Sequence, residues 1–224
     1  MQLEIIAKMH SPMKEKFGLP RQSGLANELK GTVVFEKKYS DKRAVEGLEG
    51  YDYIWLLWEF EGVKKSEGGK EFRALVRPPR LGGNTYMGVF ATRSPFRPNP
   101  IGMSCVKLES IEMTDEGPML HISGADLRDG TPIFDIKPYL PYVEAHPEAR
   151  GGFTDDTKMK YLKVEFEDDS YKDEEKALRE LLSQDPRPAY QNDPERIYGM
   201  NYNGLNVRFR VVDDTVIVSG RESK

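Results

Sequence analysis

Cysteine occurs once in the 224 residues, as Cys105, so an internal disulfide and a cysteine-built metal cluster are excluded and a reducing compartment is expected. Long apolar runs are missing as well. The most apolar one, Tyr53 to Trp58, is far too short to span a bilayer, and the Met-Gln-Leu-Glu-Ile-Ile start lacks the basic and apolar regions of a signal peptide. A cytoplasmic protein without membrane contact is therefore expected. His10, His121 and His146 stand apart without ligand spacing, so no metal site is expected either. No Gly-x-Gly-x-x-Gly or Walker loop is present, which argues against a Rossmann-type cofactor domain and a P-loop nucleotide site. Internal repeats are absent, which removes solenoids and propellers.

One further scarcity is local. The net charge is −4, which by itself speaks against a polyanionic partner, yet no Asp or Glu occurs from Phe72 to Leu108. Arg73, Arg77, Arg80, Arg93, Arg97 and Lys107 make that stretch strongly basic, suited to phosphates or a carboxylate. The simpler alternative is a solvated charged face.

What remains is a globular composition, 38% hydrophobic and 31% charged, long enough for one full core and a small appendage. Short β-rich runs at Leu3–Met9, Gly31–Glu36, Tyr51–Phe60, Tyr86–Thr92, Met103–Met113, Met119–Ser123 and Ile133–Ile136 predict a barrel or sandwich. Asp115–Pro118 reads as a hairpin turn, and Asp41–Gly47 as the one helical stretch of this part. After about residue 150 the pattern changes. A strand over Leu162–Glu167 precedes a helix over Asp173–Gln184, with Ala177, Leu178, Leu181 and Leu182 on one face, and a hairpin pairs Leu205–Val212 with Thr215–Ser219. The expected fold class is mainly β: an N-terminal β-barrel domain, 1–150, and a small α+β C-terminal domain, 151–224.

Four loops carry the candidate chemistry. In Ala91–Gly102, three prolines stiffen a segment that presents Arg93 and Arg97, a spacing suited to bidentate anion recognition; a plain surface loop is the alternative. In Gly124–Tyr139, the Asp129-Gly130 turn frees backbone groups that can read a purine edge, and Asp126, Asp129 and Asp135 offer carboxylates for proton removal or for ordinary turn bonding. Phe17–Gly24 holds Pro20, Arg21 and Gln22, while Arg77–Asn84 could cap a pocket. Downstream, Gln184–Gln191 presents Arg187 and Tyr190 on a rigid turn able to stack on a base, or simply stops the helix.

Taken in order, these stretches resemble the TrmO family of tRNA methyltransferases, also called TsaA-like. The string Gly88-Val89-Phe90-Ala91-Thr92-Arg93-Ser94-Pro95-Phe96-Arg97-Pro98-Asn99-Pro100-Ile101-Gly102 carries most of the likeness, with Asp126–Tyr139 and Asp185–Gln191 supporting it. The resemblance implies a β-barrel that binds S-adenosylmethionine, a homodimer, and methylation of N6 in N6-threonylcarbamoyladenosine beside the anticodon of tRNA. By motif, the cofactor contacts are Pro20, Arg21, Gln22, Phe60, Glu61, Arg93, Ile101, Leu127, Arg128, Asp129 and Gly130. Tyr53 and Glu61 stand where the family often carries histidines, so the Glu61 contact would differ in kind. Asp129, or a nearby carboxylate, is the expected base, Arg93 or Arg97 the partner of a cofactor or threonyl carboxylate, and Arg187 and Tyr190 the expected tRNA contacts. A non-catalytic RNA-binding barrel, or a methyltransferase with another acceptor, remains open at this point.

Overall fold

The structure, a computed structural model, describes residues 2–60, 72–81, 84–157, 159–188, 191 and 193–221, without the side chain of Arg80. Glu61 and Tyr190 lie outside the described residues.

Six strands close into a barrel. They are β1 (Ala7–His10), β2 (Lys30–Phe35), β3 (Tyr53–Glu59), β6 (Ile101–Thr114), β7 (Gly117–Ser123) and β8 (Pro132–Pro138), in the order β1-β2-β7-β6-β3-β8 with every pairing antiparallel. Two short strands, β4 (Leu75–Val76) and β5 (Met87–Gly88), pair outside it. Alternation explains the closure. On β3, Ile54, Leu56 and Trp58 point inward and face Val106, Ser104 and Gly102 of β6, while Tyr53, Trp55 and Leu57 point out. Met9, Val33, Leu120, Ile122 and Ile133 fill the interior, so the barrel is a packed core with no lumen to hold a ligand. A ligand of this barrel therefore binds outside its interior.

A second unit has its own sheet and core. A four-stranded sheet runs β10 (Tyr198–Tyr202), β11 (Leu205–Val212), β12 (Thr215–Val218), β9 (Lys163–Phe166), with only β12 and β9 parallel. The amphipathic helix α3 (Glu175–Ser183) buries Ala177, Leu178, Leu181 and Leu182 against it, as their spacing predicts. Two one-turn helices, α1 (Pro141–Glu144) and α2 (Phe153–Asp156), lie between the units. The cores are not divided by chain position alone. Met13, Ala26 and Leu29, from the segment joining β1 to β2, are buried in the second core.

Three local expectations differ from the structure. Asp41–Gly47 holds a 3-10 turn, Lys42–Val45, capped by the Asp41 side chain, in place of an α-helix. Tyr86–Thr92 is a strand for only two residues before a 3-10 turn, Val89–Ala91. Tyr198–Tyr202 forms strand β10, where the sequence pattern predicts none. Among the described residues no helix is long and apolar enough to cross a membrane, and no group of three or more His, Cys, Asp or Glu is placed to hold a metal.

Candidate active site

A cavity of about 490 Å³ opens at the barrel mouth. Four pieces of chain distant in sequence wall it: Lys16–Gln22, Trp58–Phe60, Thr92–Met103 and Asp126–Thr131. Within these pieces, Pro20, Arg21, Gln22, Phe60, Arg93, Arg97, Ile101, Leu127 and Arg128 line the space.

Its floor follows from a size exchange between paired strands. Trp58 on β3 faces Gly102 on β6, and a Cβ on that glycine would lie 2.3 to 2.6 Å from the indole. Only glycine lets the ring lie flat there. Phe60 packs on Trp58 with ring centroids 4.3 Å apart, and Ile101 and Leu127 complete an apolar surface. The register between β3 and β8 shifts between Leu57 and Trp58, where Phe134 is the extra residue on β8.

Hydrogen bonds hold the walls together. Arg93 Nη1 donates to Gln22 Oε1 at 2.5 Å, joining the proline-stiffened loop to the Pro20–Gln22 loop. Arg97 Nη1 donates to the carbonyls of Val89 at 3.1 Å and Thr92 at 2.7 Å, bracing its own loop while lining the cavity. Gly24 N–H donates to Gly124 O at 2.8 Å, tying the first loop to the last.

Beside this frame runs a polar chain into the barrel that no sequence motif marks. Trp58 Nε1 donates to Ser104 Oγ at 2.9 Å, and the Ser104 hydroxyl donates to Asp126 Oδ1. Ser104 is fully buried inside the barrel. Burial pushes the Asp126 carboxyl above the usual range; the Ser104 hydroxyl, the backbone N–H groups of Asp126 and Ser23, and the charge of Arg93 oppose that shift. A serine alternating with Gly102 and Val106 on the inward face was the available sign.

Other expected residues lie elsewhere. Asp129 and Gly130 do not line the cavity: Asp129 Oδ1 accepts from Ser11 N–H at 3.2 Å and lies 3.7 Å from His10 Nδ1. Their own N–H groups donate to Met13 O and Met9 O, both at 2.8 Å, so this turn fastens the β1 end. Tyr53 is on the outer barrel face, edge-on to Tyr139. The Arg187 side chain is only 10% exposed and pairs twice with Asp185, at 2.8 and 2.9 Å, so its charge is spent on its own turn.

The family model for the tRNA-methyltransferase O N-terminal domain matches residues 8–145, and that for the TrmO C-terminal domain matches residues 153–223. The chain belongs to the TrmO family. It is 42% identical over 224 residues to the tRNA (adenine(37)-N6)-methyltransferase of Escherichia coli K12, covering 95% of this chain and 94% of that one. A putative S-adenosylmethionine-dependent methyltransferase of Pseudomonas aeruginosa is 39% identical over 216 residues, covering 91% and 90%. A solved structure described as TrmO superposes with a TM-score of 0.78 at 31% identity, covering 100% of this chain and 99% of that one. The TrmO family thus accounts for both the barrel and the second unit.

The cavity suits an S-adenosylmethionine-sized group. Its volume falls within the roughly 300–1,000 Å³ of small-ligand sites. Trp58, Phe60, Ile101 and Leu127 offer an apolar bed, while Arg21, Arg93 and Arg97 beside Glu59 and Asp126 offer both charge signs to an amino-acid zwitterion.

Proposed function

We propose that this chain is an S-adenosylmethionine-dependent tRNA methyltransferase that methylates N6 of the adenosine at position 37, acting on its N6-threonylcarbamoyl form. The observation that carries the reading is the convergence of Pro20–Gln22, Phe60, Arg93 and Leu127–Arg128 on one cavity, in a chain whose length matches a curated relative of that activity. In this reading residues 1–150 hold the methyl donor and residues 151–224 brace that site and approach the tRNA. The protein works in the cytoplasm, without a resident metal, as a homodimer. Support for the dimer comes from an apolar outer barrel face, where Tyr53 and Met103 are 45% and 46% exposed and Tyr142 of α1 is 83% exposed.

The bound cofactor supplies a methyl carbon already activated by a sulfonium sulfur. Trp58 and Phe60 would carry its apolar body, and Arg21, Gln22, Arg93 and the Leu127–Arg128 backbone its polar ends. Held alignment of donor and acceptor can contribute roughly 7–11 kcal/mol of the barrier in favourable cases. Arg97 offers a guanidinium to the threonyl carboxylate. Asp126 would take the proton that leaves N6 as the methyl–sulfur bond breaks and the C–N bond forms, since it is the aspartate lining the cavity among the described residues, while Asp129 is engaged by Ser11. Its raised proton affinity makes it a better acceptor than an ordinary carboxylate.

Methyl transfer to tRNA with and without the threonylcarbamoyl group tests the reading, alongside calorimetry with S-adenosylmethionine. Transfer only to the modified tRNA is expected. Cofactor binding without transfer to either would overturn the acceptor assignment, and no cofactor binding would leave a non-catalytic RNA-binding barrel.

A further inference from the structure

Beyond the cavity, the segment from Phe72 to Arg97 displays arginines and aromatic rings against one another. The Arg97 guanidinium carbon lies 5.5 Å from the Phe90 ring centroid, and Phe90 stacks on Phe72 at 6.0 Å with planes 27° apart. Arg73 lies over Phe96 at 4.3 Å, and Arg77 over Tyr86 at 4.5 Å while donating to its hydroxyl. These rings are not core. Phe90 is 69% exposed, Tyr86 54% and Phe72 47%, whereas Val76 and Val89 in the same segment are buried. The pairing of β4 with β5 and the bond from Arg73 N–H to Phe96 O, 3.2 Å, hold the segment in this arrangement. Apolar residues anchor it and the rings face water.

We infer that this ladder is a stacking platform for unpaired nucleotides flanking the base that enters the cavity. The inference rests on the tRNA methyltransferase reading and names the part of the RNA that the rim holds. Every base has a π-face, so exposed rings accept it whatever the sequence. Arg97 and Arg77 spend part of their N–H groups on carbonyls and on the Tyr86 hydroxyl, whereas Arg73, laid on Phe96, offers its N–H edge to phosphate oxygens, and the sequence from Phe72 to Leu108 carries no carboxylate to oppose the polyanion. Continuity fixes the location, because Arg97 both lines the cavity and covers Phe90. Rings favour a loop over a duplex, whose bases already stack on each other.

Fluorescence anisotropy on the full-length protein tests this, using a loop-length single-stranded RNA and a duplex of equal length. The wild type should prefer the single strand. Phe72→Ala/Phe90→Ala should weaken single-strand binding about five- to one-hundred-fold, the scale of one lost stacked base, while Phe72→Tyr/Phe90→Trp retains it. The alanine pair should raise KM for tRNA equally and leave kcat and S-adenosylmethionine affinity unchanged. Arg73→Gln should flatten the salt dependence by about one unit of slope. Unchanged RNA affinity in the alanine pair, or a wild-type preference for duplex, overturns the platform. So does an alanine pair that dissociates a dimer and loses RNA affinity only through that change. RNA binding that depends on the rings without transfer to any tRNA would instead sink the methyltransferase reading and keep the platform.

Discussion

Asp126 differs from the other aspartates of its stretch because its carboxyl lines the cavity from a half-buried position, held by a hydroxyl that is itself inside the barrel. Burial raises its folded-state pKa above that of the unfolded chain, so the native protein holds the proton more tightly. The associated stability is complete below the unfolded pKa and is lost as pH rises through the folded value. Asp126→Asn should therefore melt no lower than the parent at neutral pH, while kcat falls about 10²- to 10⁴-fold and the acidic limb of the kcat profile disappears. A melting temperature that drops with activity would mark Asp126 as structural. Gly102→Ala tests the floor: the added methyl must displace the Trp58 indole, an overpacking that costs about 1–3 kcal/mol. Calorimetry should show weaker cofactor binding beyond that loss of stability.

At the scale of elements, legibility tracked how local the cause was. The β6–β7 hairpin and the α3 stripe were readable because turn chemistry and a helical period lie within a dozen residues. Strand β10, Tyr-Gly-Met-Asn-Tyr, has no β-branched residue and includes Gly and Asn, so only its five-residue register with β11 makes it a strand. Tyr86–Thr92 looked extended because its apolar residues are consecutive, but Val89 alone is buried and Gly88 leads into a turn. The site followed the same rule. Loop motifs marked most of the walls, whereas the choice among three aspartates depends on which one β6 meets across the barrel. Gly18 belongs to this scale too. Its φ is +86° and a Cβ would strike Met200 Sδ, so Gly18→Ala should shift the Pro20–Gln22 loop and reduce cofactor affinity without touching the ligand. Isothermal titration would detect it; unchanged affinity would show the loop to be independent of the C-terminal sheet.

Across the whole molecule, the segment between β1 and β2 belongs to both halves. It carries Arg21 and Gln22 to the cavity, yet Met13, Ala26 and Leu29 sit in the C-terminal core and Phe17 stacks on Phe209 at 6.3 Å. Further ties run from Asn203 N–H to Pro12 O, 2.8 Å, and from Gln184 Nε2 to Leu25 O, 3.1 Å. Phe209→Ala, at a fully buried position, should cost about 3–5 kcal/mol by denaturant titration. Because one stretch of backbone is shared, neither half has a boundary along which it can come apart from the other. Heating should produce a single calorimetric peak whose van't Hoff and measured enthalpies agree, and the loss of methyl-donor binding should coincide with it. Two separated peaks would mean that the shared strap is only laid against the second half and carries no cooperativity between them.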